Sequence, residues 1–290
     1  MECRDKTLHV SIGICAYNEE GNMRDLLAMI LDQKNYKAKI EEVIIISSGS
    51  NDGTEGIVKE FSDKDSRIKL LVQKDRLGKA SAVNVFLKSA GNDICILING
   101  DAMPEAGSFD EIVKPFDDPS VGITGSHSVP LKKGNNYVSH LVDSIWRLHH
   151  SISLRDPKIS EMIGFRKDAI GYIPGNVIND DAYMEMSAQE KGYSKKYVSK
   201  ARVFIETPGD IGDFIKQRRR IAVGHIWNKV NFNYVPSTQK VISTAGLVIK
   251  DFLQDPKEML FTLSAIFLEI TARILASYDY YIRRKNPYIW

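Results

Sequence analysis

The stretch "ICILINGDAMP" at residues 94–104 is an apolar run that ends on a single carboxylate, Asp101. A carboxylate just past a buried strand can grip a divalent cation. Asn99, however, stands two places earlier, where a second acid would make a far stronger cation site. The other reading of Asp101 is a turn or helix-cap residue, a common place for aspartate. Three further segments concentrate polar chemistry: "AYNEE" at 16–20, "SSGSNDGT" at 47–54 and "RLGKAS" at 76–81. They bring Glu19, Asp52 and Lys79, the last at the opening of a helix, where unpaired backbone N–H groups attract phosphate. Farther on, "INDDAYM" at 178–184 sets Asp180 beside Asp181, and "QRRRIAVGH" at 217–225 gathers three arginines ahead of His225.

These residues need a scaffold. The segments "LHVSIGICAY" (8–17), "EEVIIISS" (41–48), "IKLLVQ" (68–73) and "DICILIN" (93–99) are short and almost continuously apolar, as buried parallel strands are. Between them, "NEEGNMRDLLAMILDQ", "DGTEGIVKEFSD" and "GKASAVNVFLKSAG" carry apolar residues at helical spacing after a polar or glycine start. The alternation predicts an α/β fold with a doubly wound, mainly parallel sheet and right-handed crossovers. Ligands on such sheets bind past the carboxyl ends of the strands. All four polar segments named first follow one of these strands. After residue 120 the alternation fades into one more strand, "VGITGSHSVP" (121–130), and the aromatic, histidine-bearing "VDSIWRLHHSISL". A capped helix then starts at Asn179 or Asp180 and closes at Gly192. A strand "ARVFIE" and a helix with five bases, "GDIGDFIKQRRRIAVGHIWNKV", come next.

With 39 basic and 37 acidic residues the net charge is +2, so no nucleic-acid partner is expected and any basic function must be local. Cys3, Cys15 and Cys95 form an odd set without CxxC spacing, which points to reduced thiols in a cytosolic compartment. The N-terminus shows no charged region followed by a long apolar one, so no signal peptide is expected. The tail differs in kind. In "EMLFTLSAIFLEITARILASY" (258–278), a helical projection puts Glu258, Thr262, Glu269 and Arg273 on one stripe, and a helix so apolar elsewhere should be buried nearly all round. Glu269 and Arg273 also count against a membrane span, and "VISTAGLVI" (241–249) is too short to cross alone. "YYIRRKNPYIW" (280–290) has three adjacent bases among aromatics, the composition of a segment at a lipid headgroup surface.

Taken in order, "AYNEEGN", "SSGSNDGT", the "GK" that opens a helix, the strand ending in Asp101, "NDDAYM" and "QRRRIAVGH" resemble the motifs of the nucleotide-sugar glycosyltransferases of family 2, which have the GT-A fold. The resemblance runs from about residue 10 to 225. It implies an inverting enzyme that moves a sugar from a UDP- or GDP-sugar to an acceptor hydroxyl, with Mg2+ or Mn2+ neutralising the departing diphosphate. On that resemblance Ala16, Tyr17, Glu19, Ser48, Asp52, Lys79, Asn99 and Asp101 contact the donor. Asp101 anchors the metal, and substrate phosphates complete the shell. Asp181 matches the catalytic base, Asp180 the acid before it, and Gln217 and Arg220 the QxxR that meets acceptor or diphosphate. Adjacent carboxylates repel, which is expected to raise one pKa and make a better base. His225 is either an extra metal ligand or a structural histidine.

The chain departs from the family at three places. NGD replaces DxD, Ser48 replaces an acid that contacts the base, and Ile221 replaces the tryptophan of processive synthases, so long-chain synthesis is not the expectation. Structural readings stand beside the functional ones: Asp52 as the cap of the next helix, Glu19 as a helix-dipole residue, Lys79 as a solvated lysine. Arg218 and Arg219 read as a solvated or lipid-facing patch, and His149 and His150 as packing residues. The expected organisation is a nucleotide-sugar half (1–120), an acceptor half (121–232) and an apolar helical segment (233–290) for a membrane surface or a homo-oligomer contact. The acceptor is then a glycan or lipid-linked molecule, and the location is cytoplasmic, peripheral at the cytoplasmic face of a membrane. Two other readings remain: a sugar nucleotidyltransferase, which the acidic "AYNEE" disfavours, and a non-catalytic nucleotide-sugar-binding protein.

Overall fold

The computed structural model describes residues 7–131, 136–239 and 259–285. Cys3, the apolar stretch 241–249, Glu258 and the last five residues lie outside these. The first half alternates as its periodicity predicts: β1 (Leu8–Ala16), α1 (Glu20–Asp32), β2 (Ala38–Ser48), α2 (Thr54–Ser62), β3 (Ile68–Gln73), α3 (Lys79–Ser89) and β4 (Ile94–Asn99). Successive strand residues point to opposite faces, and both faces are covered. Val10, Ile12, Val43, Ile45, Ile94 and Ile96 pack under Met23, Leu26 and Leu27 of α1. Ile44, Ile46, Cys95 and Leu97 pack on the other face, under Val83 and Phe86 of α3.

The second half continues the same sheet. It adds β5 (Ala102–Pro104), α4 (Ser108–Val113), β6 (Val121–Pro130), α5 (Tyr137–Ser153), β7 (Met162–Arg166), α6 (Asp180–Glu190), β8 (Ser194–Ile205), α7 (Ile211–Phe232) and α8 (Met259–Ser277). The eight strands lie in the order β3-β2-β1-β4-β7-β6-β8-β5, so strands from both sides of residue 120 share one sheet. Pairs β1–β2, β1–β4, β2–β3 and β6–β8 are parallel. Pairs β4–β7, β6–β7 and β5–β8 are antiparallel. β8 begins seven residues before the predicted "ARVFIE", because its polar start pairs with β6 from Val121↔Ser194 onward. The histidine-bearing segment forms α5, where Asn136 caps the Ser139 N–H.

α8 is turned the opposite way from the expected burial. Its inward stripe is small and polar: Thr262, Ala265, Ala272 and Ala276 are buried, and Glu269 joins them. Its long apolar residues face out, with Leu260 64% exposed, Phe267 69% and Ile274 65%. Small residues let α8 approach α7 closely, and two arginines of α7 fix the contact. Arg218 Nε donates to Glu269 Oε2 at 2.6 Å, and Arg219 Nε donates to Asp279 Oδ2 at 2.6 Å. Arg273, one turn along α8, also donates to Glu269. The arginines read as solvated or lipid-facing are therefore the clamp between the two helices.

Candidate active site

The loops after β1 and β2 are laced together. Asn18, at φ +55°, accepts from the Asn51 N–H at 2.9 Å, and Glu19 N donates to Thr54 Oγ1 at 2.8 Å. Asp52 accepts from Thr54 N at 3.0 Å and from the Thr54 hydroxyl, an Asx turn just ahead of α2, whose N-cap position is held by Gly53 and not by Asp52. It also accepts from Glu20 N at 3.1 Å. Burial works against the charge on Asp52, but these hydrogen bonds hold its carboxyl below the usual range.

Beside this loop Ala16 is buried, and the Arg76 guanidinium lies 3.5 Å from the Tyr17 ring centroid. Ser48 ends β2 opposite Gln73 at the end of β3. The buried Ser48 Oγ and Gln73 Oε1 have no hydrogen-bond partner among the described residues. Unsatisfied buried polar atoms are uncommon, and a ligand's N–H or C=O would complete them.

Asp101 follows β4 across Gly100, where an added Cβ would come within 2.7 Å of the Glu19 side chain. That close approach brings acids together. Desolvation pushes the Asp101 carboxyl up, its own backbone N–H and Lys79 oppose the rise, and Glu206 adds to it. Glu19 is pushed up to about 7, first by burial and then by Asp101, Glu206 and Asp52, against the hydrogen bond from Asn22. Asn99 Nδ2 donates to Glu161 Oε2 at 2.8 Å. Glu161 sits just before β7 at φ +58°, and burial together with Asp101 and Asp181 pushes its carboxyl up to about 7.

The adjacent acids at the start of α6 each have their own lysine. Lys79 Nζ lies 2.9 Å from Asp180 Oδ2, and Lys158 Nζ donates to Asp181 Oδ2 at 2.6 Å. The expected rise in pKa therefore does not occur at Asp181. Burial alone would raise it, but Lys158 and then Lys79 hold the carboxyl down at about 2. Asn179, ahead of both acids, donates to the Ile221 carbonyl at 3.0 Å and lies 3.2 Å from His225 Nδ1. Gly224 permits that approach, since a Cβ there would meet Asn179 Oδ1 at 2.5 Å.

From α7, Arg220 faces Asp180, Asp181 and Glu161, and burial lowers its pKa. Gln217 is exposed. His225 is held neutral, at about 3, by burial and by Lys158, and its hydrogen-bonding contact is Asn179. Lys79 and Glu161 thus lie within electrostatic reach of Asp101 at one end and Asp181 at the other. Asp101, just past β4, and Asp181, at the start of α6, are therefore both near Lys79 and Glu161.

Sequence reasoning missed Lys158, Glu161, Glu206 and Arg76. Lys158 and Glu161 fall in "DPKISEMIGF", which carries no motif, and only the tertiary fold sets them against residues 20 to 60 positions away. Among the described residues no three His, Cys, Asp or Glu side chains converge as a protein-only metal cage. The donor set at Asp101 is all oxygen, with Glu161 and Glu206 near it, which suits a hard divalent ion that shares its shell with substrate phosphates.

Comparison with known proteins adds four findings. Residues 11–178 match the family described as glycosyl transferase family 2. Glycosyltransferase AglE of Haloferax volcanii is 24% identical over 259 residues, spanning 87% of this chain and 83% of that protein. Poly-beta-1,6-N-acetyl-D-glucosamine synthase of Staphylococcus aureus is 25% identical over 237 residues, which is 76% of this chain and 55% of the synthase. The chain therefore spans about half the length of that relative. Among solved structures, mannosyltransferase PcManGT from Pyrobaculum calidifontis, in complex with GDP-Man and Mn2+, aligns with a TM-score of 0.65 at 20% identity, covering 98% of this chain and 82% of that one. This last likeness is one of fold.

Proposed function

Because the chain belongs to glycosyl transferase family 2 and is a glycosyltransferase, we propose that it transfers a sugar, with inversion, from a nucleoside diphosphate sugar to a hydroxyl of a membrane-presented, lipid-linked glycan. Donor contacts fall to Ala16, Tyr17, Glu19, Ser48, Asp52, Lys79, Asn99 and Asp101 around the rim. The unsatisfied Ser48 Oγ and Gln73 Oε1 support a base at the ends of β2 and β3. Asp101 would hold a divalent ion, whose Lewis acidity neutralises charge on the leaving diphosphate.

Asp181 takes the proton of the acceptor hydroxyl as that oxygen bonds to the anomeric carbon. The bond from this carbon to the diphosphate oxygen breaks, and the electron pair leaves with the diphosphate. Arg220, planar and always charged, offers donors to the diphosphate or acceptor near Asp180. One observation supports this reading: Lys79 and Glu161 each lie in the field of both Asp101 and Asp181. Asp181→Asn is expected to lower turnover about 10²–10⁴-fold while a panel of UDP- and GDP-sugars with Mn2+ still protects it against thermal unfolding. Undiminished turnover would overturn the assignment.

The membrane clause rests on α8. With the turn after it, the segment Met259–Ile282 is long and apolar enough to cross a bilayer. Its ion pairs to α7 favour a helix lying against the catalytic domain with its outward face in the headgroup region, on the cytoplasmic side. Flotation with anionic vesicles that Phe267→Gln abolishes is the expected result. A concentration-dependent dimer, with no vesicle binding, would support the homo-oligomer use of this face instead.

A further inference from the structure

Behind Asp181 lies a row of buried charges that the transfer scheme leaves unused. Lys158, in the loop between α5 and β7, is 4% exposed, and its ammonium binds Asp181 Oδ2 at 2.6 Å and the Ile159 carbonyl. It also lies 3.9 Å from Glu185 Oε2. Glu185, on α6, is fully buried, and its other oxygen, Oε1, accepts from Lys195 at the start of β8. Lys195 reaches Asp156 Oδ1 at 3.1 Å, and Tyr234, just past α7, also hydrogen-bonds Glu185. The charges alternate along the row as Asp181, Lys158, Glu185, Lys195 and Asp156. The two ends are the most exposed, at 26% for Asp181 and 34% for Asp156.

Such a row is a poor stabilising device. Desolvating each charge costs several kcal/mol, and apolar residues of similar volume commonly hold a core as well or better. What the row does secure is geometry. Asp181 Oδ1 accepts from the Ala182 N–H at 2.7 Å while Oδ2 is held by Lys158, so the carboxylate plane is fixed and each oxygen keeps a lone pair for a substrate hydroxyl. We propose that Lys158 is a positioning residue for sugar transfer: braced by Glu185 and Lys195, it holds Asp181 in one orientation and in its charged, proton-accepting form. The inference rests on Asp181 being the base of the proposed transfer.

In the step itself the acceptor O–H proton moves to an Asp181 oxygen as the new glycosidic bond forms and the bond to diphosphate breaks. The resulting neutral acid then faces the Lys158 cation, which favours release of that proton to solvent and resets the base. A carboxyl held at about 2 is a weak base toward a free hydroxyl. The hydroxyl becomes acidic only as its oxygen bonds to carbon, so a late transfer to a permanently charged carboxylate is consistent with the site.

The other groups facing Asp181 determine its charge state once Lys158 is removed. Lys79 comes from α3, His149 from α5, Arg220 and His225 from α7, Asp180 and Glu185 from α6, Glu161 from ahead of β7 and Tyr234 from after α7. Lys79 is shared with Asp180, so without Lys158 the carboxyl of Asp181 keeps only Lys79 and Arg220 among three acids.

Lys158→Met, Lys158→Arg and Lys195→Met test the proposal, with fold checked by circular dichroism and donor binding by thermal protection. Lys158→Met should lower kcat at pH 7 about 10²-fold or more with donor KM within about 3-fold, and should move the acid limb of kcat upward by at least about one pH unit. Arginine should restore part of kcat. Lys195→Met should give a smaller loss in the same sense, and it still reads the proposal if Lys158→Met does not fold. A folded Lys158→Met with unchanged kcat and acid limb overturns the inference, as does a normal Lys195→Met when Lys158→Met is unfolded. If Asp181→Asn itself keeps full turnover, the base assignment fails first; loss there with a normal Lys158→Met sinks the positioning role alone.

Discussion

Glu161 holds a left-handed backbone conformation, φ +58°, that ordinarily favours glycine or asparagine. Strained residues of this kind persist where the surroundings over-determine them, and they gather at functional sites. Its carboxyl accepts from Asn99 and lies in the field of both Asp101 and Asp181. Glu161→Gln keeps the shape and removes a partly buried charge, so thermal stability should hold or rise while kcat/KM falls by about 10-fold or more. Melting curves and steady-state rates on the same preparation check both halves. The residue also answers why a strand should end in NGD: the acid missing at Asn99 has a counterpart 62 positions downstream that Asn99 itself binds. Nothing in the local sequence shows that pairing. Asp181 was equally half-legible. Its place at the start of a helix could be read from "INDDAYM", although no side chain caps that helix, and its low pKa depends on Lys158 and Lys79, which only the fold delivers.

At the scale of elements, the strands and helices of the first half were legible because their periods are clean and each strand is apolar on both faces. β3, β6 and the start of α6 follow the predicted bounds closely. α8 was legible in its stripe and not in its direction. A projection shows which residues share a face, but which face is covered depends on the partner helix, and here α7 supplies Arg218 and Arg219. Removing the acid tests that clamp. Glu269→Ala leaves two arginines without their carboxylate in a contact where both partners are mostly buried, and should cost about 1–3 kcal/mol. Proteolysis within α8 should speed up accordingly. An Arg218→Met, Glu269→Leu pair should recover most of the loss, since apolar residues of similar size can replace a buried ion pair. Equal protease sensitivity in wild type and Glu269→Ala would show that the small-residue stripe alone holds the helix.

For the molecule as a whole, the buried imidazoles tie stability to pH. His149, on α5 against Trp146, is lowered to about 3 by burial and then by Lys158 and Arg218. His225, on α7, is lowered to about 3 by burial and Lys158. Both stay neutral in the folded chain and protonate near 6.5 when it unfolds. At these two sites the unfolded state therefore binds more protons between about pH 6.5 and 3, and their contribution to stability falls as pH drops through that window, while Glu19 and Glu161, raised to about 7, work in the opposite sense between about pH 7 and 4.3. Stability should not change on the histidines' account above their window. The two histidines give a slope approaching about 2.7 kcal/mol per pH unit once both titrate in the unfolded chain. His127 and His150, also lowered mainly by burial, act in the same direction. The depressed carboxyl of Asp181 enters only lower, because its contribution is present above the unfolded carboxylate range and is lost as pH falls toward about 2. Urea unfolding at pH 7.5, 6.0 and 5.0 should show His149→Asn losing less stability with falling pH than wild type, by up to about 1.4 kcal/mol per pH unit. An unchanged slope in that variant would mean that His149 titrates alike in both states.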